Sequence, residues 1–310
     1  MSKTEINLSS SALGKAGCML NLYRTVVLGY KEKASTSRLV YGTAFHKYID
    51  VMYKTGGHIP TAREEAVKVF TSIPMIDDRK SLHLSDVNHM AAVAHFAWQL
   101  DVLGDKDFDI LEINGKPASE LTYSIPFFED EYIKVNWCGT IDRLGKIKNG
   151  CYVIKDWKTT STWDIKDYFT QYEMSRQPLG YVLALRLMSE MYPDSALGKI
   201  GTTQVGAQFD GVFIKPAIND VKFYKSPVYQ YTPERIQEFR MLLTKKCMEL
   251  SDAVRMNKFV KEGLINGSCL GKWGKCSFWN VCQHPESVAS ILLARDFKQS
   301  TFNPLAYNDI

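Results

Sequence analysis

Asp142, Asp156 and Lys158 are the residues of this sequence best placed to do chemistry. Asp156-Trp157-Lys158 closes a run from Cys151 to Trp157 that reads as a strand. Successive side chains of a strand point to opposite faces, so Asp156 and Lys158 share a side and Trp157 enters the other layer. Cys151 to Ile154 are almost all apolar, which puts the polar pair at the rim of a core. Asp142 follows an earlier strand-like run, Tyr132 to Ile141, in Gly139-Thr140-Ile141-Asp142-Arg143. Asn149-Gly150 between the two runs is a turn signal. Pairing through that turn brings Asp142 and Asp156 together, where two carboxylates repel unless a cation lies between them. Oxygen ligands favour Mg²⁺ or Mn²⁺. Such an ion polarises a phosphate and activates water, and Lys158 is placed to orient that water or to stabilise developing charge. A lone Asp-x-Lys is more often a surface ion pair; the second carboxylate distinguishes this one.

These residues need a scaffold, and the hydrophobic pattern predicts an α+β one. Ser9-Ser10-Ser11 reads as the start of a helix running from Ala12 to Tyr30. Further helices are expected over Val40 to Tyr53, Thr61 to Phe70 and Val87 to Leu103, with loops near Pro74 and Gly104. Leu121 to Phe127 alternates as a strand, and with the two runs above makes an antiparallel meander. Gln177 to Met191 reads as a helix with Pro178 in its first turn, and Ala207 to Lys215 as a strand. Thr232-Pro233 opens a long helix to about Asn257, with Thr232 as N-cap. The tail from Lys258 looks irregular. We find no linker, so a single domain over 1–310 is expected: a helical lead-in (1–116), a core (117–215), then a helix and a cysteine-rich tail (216–310).

Two pairs at four-residue spacing add to the acidic group. Gly42 and His46 share a helix face, with Gly42 allowing close packing where His46 projects. Gln177 and Tyr181 share another. With these in hand the sequence resembles the PD-(D/E)XK nuclease superfamily in its RecB-like branch. The likeness is carried by Gly42-x-x-x-His46, by Gly139 to Asp142, by Asp156-Trp157-Lys158 and by Gln177-x-x-x-Tyr181, in order, over about 140 residues. The resemblance implies a restriction-endonuclease-like core with a central mixed sheet. It implies a divalent metal held by His46, Asp142 and Asp156, with Lys158 as the catalytic lysine. Gln177 and Tyr181 would position the lysine or the DNA. Glu120 sits where some relatives carry another acidic residue.

The seven cysteines point to a second centre. Cys269, Cys276 and Cys282 cluster with the spacing C-x6-C-x5-C, and Cys18, Cys138, Cys151 and Cys247 are scattered. Four thiolates suit an iron–sulfur cluster or structural zinc. Zinc sites more often contain close C-x2–4-C pairs, and Cys138 and Cys151 fall in core strands where buried thiols are common. Cys18 looks like the N-terminal cysteine of the iron–sulfur branch of the same family, in which one early and three late cysteines hold a [4Fe–4S] cluster. The C-x6-C spacing is similar to that of phage-type relatives, where CRISPR-associated and helicase-linked members often have C-x2-C. The likeness implies a structural clasp, with Zn²⁺ as the other occupant.

Composition sets looser bounds. Apolar residues at 45% and charged residues at 23% are ordinary for a folded chain, which excludes a disordered one. A net charge of +4 permits a nucleic-acid partner without demanding it. Basic surface must then be local, with Lys146/Lys148, Lys245/Lys246 and Lys272/Lys275 as candidates. No run of residues matches a membrane span, and Met1 to Ser11 lacks an apolar leader, so a cytoplasmic protein is expected. The leading expectation is a DNA exonuclease for single-stranded DNA or DNA ends. Alternatives are a non-catalytic DNA-binding or assembly subunit of a recombination or CRISPR-adaptation complex, and a structure-specific endonuclease. The family likeness allows a helicase, recombinase or CRISPR integrase as partner, and an oligomer.

Overall fold

The computed structural model describes residues 3–76, 82–105, 107–161, 164–215, 220–271 and 274–300. Lys272, one of the basic candidates, lies outside them. The elements used below are, in chain order, β1 (Thr4–Leu8), α1 (Ser37–Lys54), α2 (Ile59–Ser72), α3 (Val87–Gln99), β2 (Ser119–Glu129), β3 (Ile133–Ile147), β4 (Tyr152–Thr160), α4 (Ile165–Glu173), α5 (Arg176–Met191), β5 (Val205–Lys215), β6 (Asp220–Lys225) and α6 (Pro233–Met256). Contacts group the chain into two compact units. The first is Met1–Lys33, Thr122–Gly139 and Pro233–Ile310; the second is Ala34–Leu121 and Thr140–Thr232. No described helix is long and apolar enough to cross a membrane.

The second unit is a mixed sheet with helices on both faces. β3 and β4 are antiparallel, with Arg143 opposite Lys155. β4 and β5 are parallel, with Asp156 opposite Phe209, and β5 and β6 are antiparallel, with Asp210 opposite Lys225. One face of β4 and β5, carrying Trp157, Val212 and Ile214, packs under α1, α2 and α3. α1 is suited to this because Tyr41, Ala44, Phe45, Tyr48, Ile49 and Met52 recur every three or four residues and are all buried. Each large apolar side chain so buried contributes about 1.5–3 kcal/mol. Caps fix where these helices begin: Thr36 accepts from Leu39 N at 3.4 Å, and Asp86 from Asn88 N at 2.8 Å. The other face carries Phe209 and Phe213, which meet the rings of Tyr168, Phe169 and Tyr172 on α4. The strands expected over 121–127, 132–141 and 151–157 are all present and longer than the pattern suggested. α4 was not expected; it is short and two-thirds of its residues are aromatic or charged.

In the first unit, β1 runs parallel to the start of β3, from Thr4 opposite Ile133 to Leu8 opposite Trp137. Ile6 and Leu8 alternate into the core, and Phe239 of α6 meets Trp137 edge-on at 6.1 Å. The helix expected over 12–30 is instead three short pieces: Ser10–Leu13, Met19–Leu22 and a π-helical turn Tyr23–Val27, followed by a strand Tyr30–Glu32. Glycines break it. Gly29 has φ +67°, and a Cβ there would stand 2.7 Å from the Ser300 carbonyl oxygen. The tail expected to be irregular contains helices Trp279–Cys282 and Glu286–Asp296 and a strand Phe297–Gln299 paired with Tyr30–Glu32.

Candidate active site

The ladder between β3 and β4 ends at Arg143 and Lys155, and there the second unit gathers its acidic residues. Beyond that pair the Trp157 N–H donates to Asp142 Oδ2 at 2.9 Å, so a side chain takes the place of a strand carbonyl. His46 comes in from α1, its Nδ1 3.0 Å from the same Asp142 oxygen and 3.9 Å from Glu120 Oε1. The helix can approach because Gly42 faces β4: a Cβ there would lie 3.1 Å from Thr159 Oγ1. Glu120 enters from the start of β2 with φ +47°, a left-handed conformation that disfavours a side chain and costs about 1–3 kcal/mol. Ligand atoms of His46, Glu120 and Asp142 all lie within 4.8 Å of one another. One imidazole and two carboxylates are a donor set for a hard divalent cation.

Asp156 adjoins this group with its oxygens already engaged. Lys158 pairs with Oδ2. Oδ1 accepts from Gln177 Nε2 and from the Tyr181 hydroxyl, each at 3.1 Å, and Gln177 also donates to Tyr181 at 2.7 Å. The first two turns of α5 thus anchor one end of the carboxylate. All the residues expected from the sequence around this centre therefore come together, and Glu120 joins them more closely than its place in the sequence suggested. Tyr168 and Tyr172 were missed. They are four apart on α4, and the Tyr172 ring stacks on Phe209 with 4.3 Å between centroids. The Lys158 ammonium lies 5.9 Å from the Tyr172 ring and 5.8 Å from Phe209. Two aromatics at helical spacing were the available signal.

The electrostatics are those of a crowded acidic site. Burial, and then the Asp142 charge, pushes Glu120 up to about 8. Burial works against a charged His46, but Asp142 outweighs it and raises His46 to about 9. Burial would raise Asp142, yet His46 holds it below the usual carboxylate range. Asp156 moves up through burial and Asp142, against the pull of Lys158. Burial disfavours the Lys158 charge, but Asp156 more than restores it.

A second charged cluster backs the same strands. Arg143 is 1% exposed, pairs with Asp101, meets Asp210 at 2.6 Å and lies over the Trp157 ring at 4.8 Å. Lys155 pairs with Asp105 and stands 3.6 Å from Asp101; Lys225 meets Asp105 at 2.5 Å. Burial would raise Asp105, but hydrogen bonds from Lys155 and Lys225 bring it down to about 2.

The family model described as the PD-(D/E)XK nuclease superfamily matches residues 8–283. The chain belongs to that superfamily. Membership implies a nuclease that uses a divalent metal and has DNA as its class of substrate, and the His46, Glu120 and Asp142 group fits such an ion. Among solved structures, one titled "Putative exonuclease" from Eubacterium rectale aligns with TM-score 0.44 and 13% identity, covering 98% of this chain and 93% of that one. Another, titled SSO0001, aligns with TM-score 0.29 and 10% identity over 70% of this chain and 77% of that one. Comparison with curated proteins gives no match.

The first unit of this PD-(D/E)XK protein holds the cysteine site. Cys18, Cys269, Cys276 and Cys282 line one cavity of about 220 Å³ with Asn21, Lys261 and Trp279. Asn21 Nδ2 and an Arg24 nitrogen reach Cys276 Sγ and Cys282 Sγ, each at 3.2 Å. Burial and the neighbouring sulfurs raise Cys269 and Cys276. Cys138 and Cys247 are buried elsewhere, burial pushing both thiols up to about 12.

Proposed function

We propose that this chain is a metal-dependent DNA exonuclease of the RecB-like branch, acting on single-stranded DNA or DNA ends, with a structural [4Fe–4S] cluster in its cysteine cavity. The observation that carries the nuclease reading is the surplus of three carboxylates, Glu120, Asp142 and Asp156, around His46 and Lys158. His46, Glu120, Asp142 and Asp156 would hold Mg²⁺ or Mn²⁺. When bound, such an ion lowers the pKa of water and stabilises charge on a phosphate. Lys158, held by Asp156 and walled by Tyr172 and Phe209, presents its ammonium to the attacking water or the developing phosphate charge. Gln177 and Tyr181 fix the Asp156 carboxylate, and through it the lysine.

The cluster reading rests on four cysteines from distant parts of the sequence around one cavity.

Labelled linear and circular single-stranded DNA, incubated with Mn²⁺ or Mg²⁺, test the activity. Linear DNA should be degraded from its ends and circles left intact. Asp156→Ala and Lys158→Ala should each abolish the reaction while the fold and brown colour persist. Metal-dependent cleavage surviving in both variants would falsify the assignment. Cut circles would make the enzyme an endonuclease, and no cleavage of any DNA would favour the non-catalytic subunit. Iron and sulfide in anaerobically purified protein test the cluster, against stoichiometric zinc.

A further inference from the structure

Arg24 is a buried cation that pairs with no carboxylate among the described residues. It lies in the π-helical turn Tyr23–Val27 and is 7% exposed. Among the described residues its partners are Cys282 Sγ, 3.2 Å from Nη1, and the Phe278 ring, 5.3 Å from Cζ. Phe278 in turn stacks on Phe297, with centroids 4.6 Å apart and planes 8° from parallel. A guanidinium stays charged at any pH a protein meets. Burying it is costly unless an opposite charge is near. A neutral thiol is only a weak acceptor and supplies no charge. A metal-bound thiolate does supply it.

Location adds a second argument. Cys18, Asn21 and Arg24 are three apart, and each contributes to the cysteine site: a sulfur, a donor to Cys276 and a donor to Cys282. Arg24 also lines a wider groove of about 630 Å³ with Tyr30, Phe259, His284 and Glu286, the last of which makes no ion pair with it. Arg24 thus lines that groove while its Nη1 reaches Cys282, which lines the smaller cavity.

We propose that Arg24 is the counter-ion of a metal-bound Cys282 thiolate and shields the cysteine-held group from solvent in the adjoining groove. This rests on the cysteine-site reading above, though on its thiolates and not on iron alone. Arg24 is a positioning and charge-balancing residue, not a catalytic one. Its flat guanidinium can lie on Phe278 while one nitrogen reaches the sulfur, and a lysine ammonium can keep the charge but not the stacking.

The test uses anaerobically purified, loaded protein. Iron loss to a ferrous chelator is followed by the fading of visible absorbance in wild type, Arg24→Lys and Arg24→Gln. Arg24→Gln should lose iron roughly 10–100-fold faster, as when other groups that hydrogen-bond a metal ligand are removed, with Arg24→Lys between. Dithionite titration followed by electron paramagnetic resonance gives a second readout. Reduction adds negative charge beside the site, so Arg24→Gln should shift the midpoint to more negative potential and Arg24→Lys should recover most of the shift. A role in packing alone predicts no recovery by lysine and an unmoved potential. Iron loss and potential like wild type in Arg24→Gln would overturn the proposal while leaving the cluster intact. If Arg24→Gln is not recovered folded, Arg24→Met, which keeps an apolar stem without the charge, takes its place: a more negative midpoint potential than wild type supports the proposal, and an unmoved potential overturns it. A wild type that holds zinc puts the same question to a zinc indicator. A wild type that holds no metal sinks both readings.

Discussion

The strand pair β3 and β4 carries charge in two places, and the two are balanced by different means. Behind the strands, Arg143, Lys155 and Lys225 meet Asp101, Asp105 and Asp210, three cations against three anions. Every charge there is compensated by another side chain. Where the strands part, Lys158 meets Asp156 and feels Asp142, while His46 meets Asp142 and Glu120. Without a metal, the deficit at neutral pH is met by protons: His46, raised to about 9, is charged, and Glu120, raised to about 8, is neutral. Protons on a histidine and a carboxyl exchange readily for a cation, whereas a buried arginine does not. A site meant to take up an ion differs from one meant to hold a sheet together in that respect.

The contrast can be broken most severely at Lys158. Lys158→Ala should reduce cleavage by about 10²–10⁴-fold, the range for loss of a group acting on a proton or charge in the reaction, at a smaller cost in stability than loss of Arg143, because Asp156 keeps its hydrogen bonds from Gln177 and Tyr181 and is disposed to take up a proton. A fall of less than tenfold would remove Lys158 from the chemistry. Arg143→Met should do the reverse, costing about 3–5 kcal/mol in urea unfolding because Asp210 is left buried without a cation and Asp101 keeps only Lys155 at 3.6 Å. Replacing all three by apolar residues of similar size should be milder than the single change; if it is worse, the cluster has a role beyond compensation.

Proton exchange gives a subtler test. A carboxyl whose folded pKa is raised loses stability as pH climbs from about 4.5 to about 8, because the unfolded state releases its proton first. A histidine raised from 6.5 to about 9 contributes stability that is complete below 6.5 and gone above 9. Both signs agree: metal-free protein should melt lower as pH rises to 9, and Mn²⁺ should bind more tightly and restore the loss. Calorimetry of Mn²⁺ binding near pH 7 in buffers of different ionisation enthalpy should register proton release. Glu120→Gln should reduce that release, and an unchanged count would remove Glu120 from the site. The smallest effect belongs to Lys225→Ala. Lys225 is 43% exposed at the edge of the balanced cluster, and Asp105 keeps Lys155, so the cost should stay below about 1 kcal/mol.

The parts of this site legible in the sequence are those set by short-range geometry. Strand alternation put Asp156 and Lys158 on one side, and the Asn149-Gly150 turn brought Asp142 to them. Helical spacing paired Gly42 with His46 and Gln177 with Tyr181. What stayed hidden depends on distance or on backbone conformation. Arg143 meets Asp210 from 67 residues away, and nothing in either segment announces the pairing. β1 was concealed by its polar surroundings, although Ile6 and Leu8 alternate. The helix expected over 12–30 followed an apolar period and underweighted Gly29, whose φ is +67°. Glu120 was undervalued because its reach depends on a φ that no residue pattern encodes.

That φ of +47° makes position 120 a point of conflict between durability and use. The backbone there suits glycine, asparagine or aspartate, and the proposed ion wants a carboxylate. Glycine would satisfy the first demand alone, so Glu120→Gly should yield a sturdier protein that takes up metal poorly. Selection for heat resistance alone would drift toward that change, and selection for cleavage would reverse it. Aspartate meets both demands but is one methylene shorter, which makes position 120 the natural place to learn how much reach the centre requires.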